Sequence, residues 1–250
     1  MGGKTILGET VRLLLNTVYG SRCPACGIRR VAAGGELCEV CRGALTPGGE
    51  ARCPRCGVRL GPHVLVERRC SSCWTQSFGF RSVRALFSYE GAVRDQIQAA
   101  KFQRQWTVAE RLAATFGRGV RRDDIGEEVS LVVPVPMFWW DRRVRGLNLA
   151  EALADAVART HHIEHDPRAL RQVRPSPPQF ALPPAERFRN VAGLFAVRRD
   201  ASLRRTTILL VDDVLTTGAT ASACARVLRK AGARTVHVAV LARTQPPPLP

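Results

Sequence analysis

Residues 208–220 read Ile-Leu-Leu-Val-Asp-Asp-Val-Leu-Thr-Thr-Gly-Ala-Thr, and no other run constrains the chain as strongly. Four apolar residues suited to a buried parallel strand lead into two adjacent acids, then into a Thr/Gly turn that opens a helix at Thr220. Such a turn cradles phosphate. Successive backbone N–H groups and hydroxyls face one point, Gly218 lets the backbone come close, and the helix N-terminus favours an anion. Bare carboxylates at Asp212 and Asp213 would repel a phosphate alone. They make sense if the ligand also offers hydroxyl donors, as a ribose does, so the residues imply a ribose 5-phosphate.

This run resembles the signature of type I phosphoribosyltransferases, which bind phosphoribosyl pyrophosphate (PRPP). The resemblance implies that Asp212, Asp213, Val214, Leu215, Thr216, Thr217, Gly218, Ala219 and Thr220 form the PRPP-binding stretch. Thr216, Thr217, Gly218 and Thr220 would hold the 5-phosphate and the two acids the ribose hydroxyls.

A second feature fills the N-terminal third. Eight of the nine cysteines form Cys-x-x-Cys pairs at Cys23/Cys26, Cys38/Cys41, Cys53/Cys56 and Cys70/Cys73. Each gap puts two thiolates on one side of a tight turn, and two turns complete a tetrahedral site for zinc. Two structural zinc ions are expected. Consecutive pairs close the shorter loops, so Cys23, Cys26, Cys38 and Cys41 are assigned to one ion and the other four to the second, although spacing alone also admits a crossed pairing. Four thiolates leave no open position, so neither ion is expected to be catalytic. Arg68, Arg69, Trp74, Phe78 and Phe80 follow as either a basic, aromatic face for single strands or the contact that seats this module on the next domain.

The 250 residues, 45% of them hydrophobic, suffice for one α/β core and a smaller module. A net charge of +17 points to a polyanionic partner. Arginine carries nearly all of the positive charge, since Lys4, Lys101 and Lys230 are the only lysines. Codon usage can explain arginine in place of lysine, but not the excess over acids. Leu7, Val11, Leu14 and Val18 recur at helical spacing in a segment too short to span a bilayer, so the expectation is a cytoplasmic protein without a membrane span.

Val83–Tyr89 reads as a strand. On the helix after it, Lys101 continues the row of Val93 and Ile97, as a phosphate contact or as a surface lysine with a buried stem. Trp106, Ala109, Ala113, Phe116 and Val120 predict a core-facing stripe. Leu131–Val133 is a short strand stopped by Pro134-Val135-Pro136, and a loop then carries Arg142, Arg143 and Arg145 to Asn148, which caps a helix with Glu151 at its third position. That brings an arginine loop to the same sheet edge as residues 212–220, with Arg145 for the pyrophosphate. His161, His162 and His165 read as a solvated helix end. Residues 168–186 are a hood over the ligand, with Gln179 and Arg187 as contacts, or a plain connector. Cys224 reads as a core thiol.

Pro-Val-Pro, then Arg-x-Arg-Gly-x-Asn at 143–148, then Gln179, Glu186-Arg187, Asn190 and Phe195, and finally the 208–220 run, are similar in kind and order to the ComF family of competence proteins. Leu149 stands where that family usually has Gln. The resemblance implies an open parallel α/β sheet of the type I phosphoribosyltransferase kind behind a double zinc ribbon: ribbon in 1–80, phosphoribosyltransferase-like domain in 81–243, and a proline-rich tail in 244–250. It also implies PRPP with Mg²⁺, single-stranded DNA, and a competence helicase and DNA-loading proteins as partners in natural transformation. Two functions stay open, a PRPP-binding accessory of DNA uptake and an enzyme transferring phosphoribose to a nitrogen nucleophile. In either case no side chain need act as a covalent nucleophile.

Overall fold

The computed structural model describes residues 21–23, 30–31, 38–44, 51–61, 70–103, 105–126, 128–176, 184–198 and 203–245. In chain order, β1 (Ser21–Arg22) and β2 (Arg30–Val31) pair antiparallel and lead to helix α1 (Glu39–Ala44). A 3-10 turn at Ser71–Cys73 precedes β3 (Ser82–Ser88), α2 (Gly91–Phe102), α3 (Trp106–Gly119) and the short α4 (Arg122–Ile125). Then come β4 (Leu131–Pro134), α5 (Trp139–Arg145), α6 (Leu149–His161), β5 (Glu164–His165) and β6 (Leu170–Gln172). The chain ends with α7 (Pro184–Asn190), β7 (Phe195–Val197), β8 (Thr207–Leu215), α8 (Ala219–Lys230) and β9 (Thr235–Arg243).

Five strands form one parallel sheet in the order β3-β9-β8-β4-β5. β8 lies between β9 and β4 because Ile208–Val211 are fully buried and suit a strand covered on both faces. Side chains alternate across it. Leu209 and Val211 pack with α2, α3 and α6, while Ile208 and Leu210 pack with α8 and the antiparallel β6–β7 pair. All strands therefore deliver their C-terminal ends to one edge, where ligands of open parallel sheets sit. The open parallel α/β sheet behind a cysteine-rich module is the architecture expected from the sequence.

Several local expectations need correction. The stripe of α3 runs through Val108, Ala109, Leu112, Ala113 and Phe116, whereas Trp106 is 48% exposed, its ring edge against Gly146. The arginine segment after β4 is the helix α5, not a loop, closed by Gly146 at φ 78°. Asn148 stands at the N-cap of α6, but its Nδ2 donates to the Val135 carbonyl at 3.2 Å and makes no capping bond. Glu151 does not complete a capping box and instead pairs with Arg142 at 2.7 Å. Part of the 168–186 segment is ordered as β6, which pairs with β7, and α7 follows. The N-terminal helix and the tail beyond Gln245 lie outside the described residues.

Leu112→Ala should cost about 3 kcal/mol, because it opens a cavity in a fully buried cluster. Trp106→Ala should cost less than about 1 kcal/mol, as expected of a half-exposed ring. Urea titration of both variants checks the ranking, and equal losses would return Trp106 to the core.

Candidate ligand turn and cysteine centres

The site is built where β8 leaves the sheet. Asp213 is buried and accepts a hydrogen bond from the Lys101 ammonium, at 2.8 Å from Oδ1. Lys101 comes from the last turn of α2, which packs across the sheet edge so that residues 112 positions apart meet. Asp212 is half-buried, and its Oδ1 accepts the backbone N–H of Asp213 at 2.8 Å.

Burial, and then the charge of Asp213, push the Asp212 carboxyl up to about 7, while Lys101 pulls it down. Burial also opposes the charge of Lys101, but Asp213 and, after it, Asp212 outweigh that and raise its pKa above the usual lysine value. The site therefore holds an ammonium, one carboxylate engaged with it, and a second carboxyl poised to gain or lose a proton near neutrality.

The turn follows directly. Gly218 takes φ 82° at the N-cap of α8, a conformation that favours glycine, and a Cβ there would stand 3.1 Å from the Phe78 ring. Ser222 N–H closes the first helical turn on the Gly218 carbonyl at 2.8 Å, and Thr217 Oγ1 accepts the Ala219 N–H at 3.4 Å. Among the described residues, the N–H groups of Thr216, Thr217 and Gly218 find no acceptor. Three free donors thus precede a twelve-residue helix, a backbone arrangement that suits an anion, beside two carboxyls able to take hydroxyl donors or a divalent cation.

The turn is held from below by Arg243, the last residue of β9, which is 7% exposed. Its Nη1 donates to the carbonyls of Leu215 (3.2 Å), Thr216 and Thr244 (2.7 Å), and its Nε to the Cys56 carbonyl at 3.0 Å. Sequence reasoning missed this residue. The available signal was an arginine closing an otherwise apolar strand.

Cys53, Cys56, Cys70 and Cys73 are buried and unbridged, with sulfur separations of 3.8 Å (Cys53–Cys73), 3.6 Å (Cys56–Cys70) and 3.9 Å (Cys70–Cys73). Four sulfurs about 2.3 Å from a tetrahedral zinc lie about 3.8 Å apart, so this set fits zinc without rearrangement. Cys23, Cys38 and Cys41 form the other group, with their ligand atoms within 4.8 Å of one another. Among the described residues the sulfurs gather as Cys23, Cys38 and Cys41 on one side and Cys53, Cys56, Cys70 and Cys73 on the other, the grouping that shorter loops favour.

Of the other expected residues, Cys26, Gln179, Arg68, Arg69 and the Arg145 side chain lie outside the described residues. Arg187 sits half-buried on α7. Phe80 is buried and Phe78 stacks on it at 4.7 Å, so these rings seat the cysteine module, while Trp74 is exposed. His161 Nε2 lies 2.7 Å from the Val120 carbonyl, and the three histidines form no metal cluster among the described residues. Cys224 is a fully buried core thiol.

An aromatic group at the same sheet edge was not foreseen. Phe138, Trp139 and Trp140 follow one another at ring separations of 5.6 and 5.4 Å, with both tryptophans more than half exposed and the Arg143 guanidinium 5.5 Å from the Trp139 ring. Among the described residues no helix is long and apolar enough to cross a membrane.

Asp212 has a pKa above its unfolded value near 3.8, so it contributes stability below about pH 4 that is lost as the pH rises through about 7. Asp212→Asn should therefore melt above the parent at pH 8, with the gap narrowing towards pH 5. Thermal denaturation across that range checks the sign, and a gap that widens on acidification would contradict it.

Residues 14–74 match the family described as double zinc ribbon domain, and residues 144–247 the one described as phosphoribosyl transferase domain. Competence protein F of Haemophilus influenzae is 28% identical over 182 residues, covering 70% of this chain and 79% of that protein. DNA utilization protein YhgH of Escherichia coli K12 is 28% identical over 180 residues, covering 70% and 78%. A solved hypoxanthine phosphoribosyltransferase from Staphylococcus aureus overlaps 56% of this chain and 75% of its own at 11% identity and a TM-score of 0.33, too slight to bear on the fold. A double zinc ribbon match followed by a phosphoribosyl transferase domain match, with relatives named competence protein F and DNA utilization protein, makes the chain similar to the ComF proteins that its motifs resemble.

Proposed function

We propose that the chain binds PRPP at the β8–α8 turn and handles single-stranded DNA in natural transformation. The observation that carries the sugar-phosphate half is the adjacency of Asp212 and Asp213 to three unengaged turn amides. The amides and the Thr216, Thr217 and Thr220 hydroxyls receive the 5-phosphate, with Gly218 allowing its close approach and Ala219 starting the helix behind it. Asp212 and Asp213 accept the ribose 2′ and 3′ hydroxyls, and Val214 and Leu215 anchor the strand beneath. Arg145 takes the pyrophosphate, for which α5 brings its backbone to the same edge; Gln179 and Arg187 close over the ligand from the hood. Magnesium bound with PRPP supplies further neutralisation of the pyrophosphate. Lys101 keeps the two acids from repelling the ligand by engaging Asp213.

The DNA half rests on the net charge of +17 and on the exposed Trp139 and Trp140 with Arg143. Exposed indole faces can stack bases of any sequence while arginine meets the backbone. The names of the relatives, competence protein F and DNA utilization protein, agree with this role. A helicase and DNA-loading proteins are the partners it implies.

A second reading, transfer of phosphoribose to a nitrogen nucleophile, is favoured by Asp212. With a pKa of about 7 it can take the proton from nitrogen as the C1–O bond to pyrophosphate breaks and the N–C1 bond forms.

Calorimetry of the zinc-loaded protein with PRPP and magnesium should show binding, lost at least about 100-fold in Asp212→Asn/Asp213→Asn. Affinity should rise from pH 6 to 8 with proton release, because hydroxyl donors need Asp212 ionised. Binding unchanged by the double substitution would remove the site. Trp139→Ala and Trp140→Ala should each weaken binding of a single-stranded oligonucleotide by about 10-fold while leaving PRPP affinity alone. Oligonucleotide affinity equal to the parent in both variants would dismiss these rings as the platform.

A further inference from the structure

The second cysteine centre and the ligand turn share two sets of contacts. The first runs through Arg243, whose guanidinium joins the Cys56 carbonyl to those of Leu215 and Thr216. The second runs through Arg55, between the two cysteines of the same knuckle. It donates to the carbonyls of Phe80 and of Phe78 (3.1 Å) and lies 5.5 Å from the Phe78 ring, which stands over Gly218. The knuckle is also docked on the sheet. Val83 N–H donates to the Pro54 carbonyl at 2.9 Å, and a Cβ on Gly57 would come within 2.8 Å of Val83. The segment after Cys73 is tied to α8 by Gly79 N–H on Ser222 Oγ (2.9 Å) and by Arg226 on the Ser77 carbonyl (2.7 Å).

Charge gives these contacts their direction. Among the described residues no carboxylate pairs with Arg243; its partners are carbonyls and the Thr244 hydroxyl. A buried guanidinium without a counter-charge is costly. Zn²⁺ with four thiolates carries a formal charge of about −2, whereas four protonated thiols carry none. Cys53, Cys56, Cys70 and Cys73 would hold zinc as a net anion, which would fix the knuckle that offers the Cys56 carbonyl and would supply the counter-charge that Arg243 lacks among the described residues.

From this geometry we infer that Arg243 is a positioning residue through which metal at the second cysteine centre sets the shape of the 212–220 turn, making sugar-phosphate binding and zinc binding mutually dependent. The zinc ribbon is then part of the ligand site and not only a fold staple, and loss of its metal switches the turn off. The first cysteine centre touches α2 instead, where Gln96 donates to the Cys41 carbonyl at 3.3 Å on the helix that carries Lys101, so its contact with the sheet edge runs by a different route from that of Arg243. The inference rests on the PRPP reading for its affinity readout alone.

The test uses the full chain with its zinc content measured. Hydrogen exchange at the amides of 215–220 reads the turn without any ligand. It should quicken about 10-fold when the second centre is emptied by a chelator and recover when zinc is restored. Cys23→Ser/Cys38→Ser, which removes only the first centre, should leave it unchanged. Arg243→Met should quicken the same amides about 10-fold with the second zinc still bound, and Arg243→Lys should fall between. With PRPP and magnesium, affinity should drop about 10-fold under the same treatments. Saturating PRPP should in turn tighten zinc at the second centre by the factor by which zinc tightens PRPP.

If the stripped protein unfolds, cadmium substitution, which enlarges the centre without emptying it, serves as the second perturbation and should shift turn exchange and PRPP affinity together. Turn exchange that ignores metal state and Arg243 substitution would overturn the inference even if PRPP binds. Failure of the fully loaded parent to bind PRPP would instead sink the PRPP reading and leave the exchange result to judge this one.

Discussion

Everything at the functional edge depends on the Lys101–Asp213 ion pair. Two adjacent acids stand at the end of a buried strand, and burial together with the charge of Asp213 makes Asp212 harder to ionise. The 2.8 Å contact from α2 neutralises one of them and leaves the other near its midpoint at neutral pH. Without the ammonium, burial and the charge of Asp213 would hold the Asp212 carboxyl higher still. With it, Asp213 remains beside the turn amides, held by the ammonium.

The rest of the fold brings those groups together. Parallel pairing on both sides of β8 fixes where the strand ends, and α8 begins within four residues of it. β4 ends alongside and hands the chain to α5, which places basic and aromatic side chains at the same rim. The cysteine module reaches the turn from the other side through Arg55 and Arg243. A small metal-held unit, unable to bury much apolar surface of its own, is thus packed where it braces the most delicate loop.

Much of this was legible in local pattern. The 208–220 run could be read because hydrophobic burial, acid pairing and turn chemistry fall in consecutive residues. The cysteine pairs could be read because metal ligation imposes its own spacing. What could not be read depends on distance or context. Lys101 could be placed on its helix, but its partner lies 112 residues away. Arg243 carries no local signal beyond closing an apolar strand, and only the tertiary packing shows that it is buried among carbonyls. Arg142, Arg143 and Arg145 read as loop residues because prolines precede them and Gly146 follows, yet one short helix, Trp139–Arg145, fits there and exposes two tryptophans. Trp106 kept helical spacing with a core stripe but starts its helix, where the ring falls outside the sheet's cover.

The most direct measurement is a crystal structure of the zinc-loaded protein grown with PRPP and magnesium. The account predicts the 5-phosphate against the amides of 216–220 and the ribose hydroxyls on Asp212 and Asp213. A ligand seated elsewhere, with both carboxyls facing water and the turn amides unengaged, would contradict it.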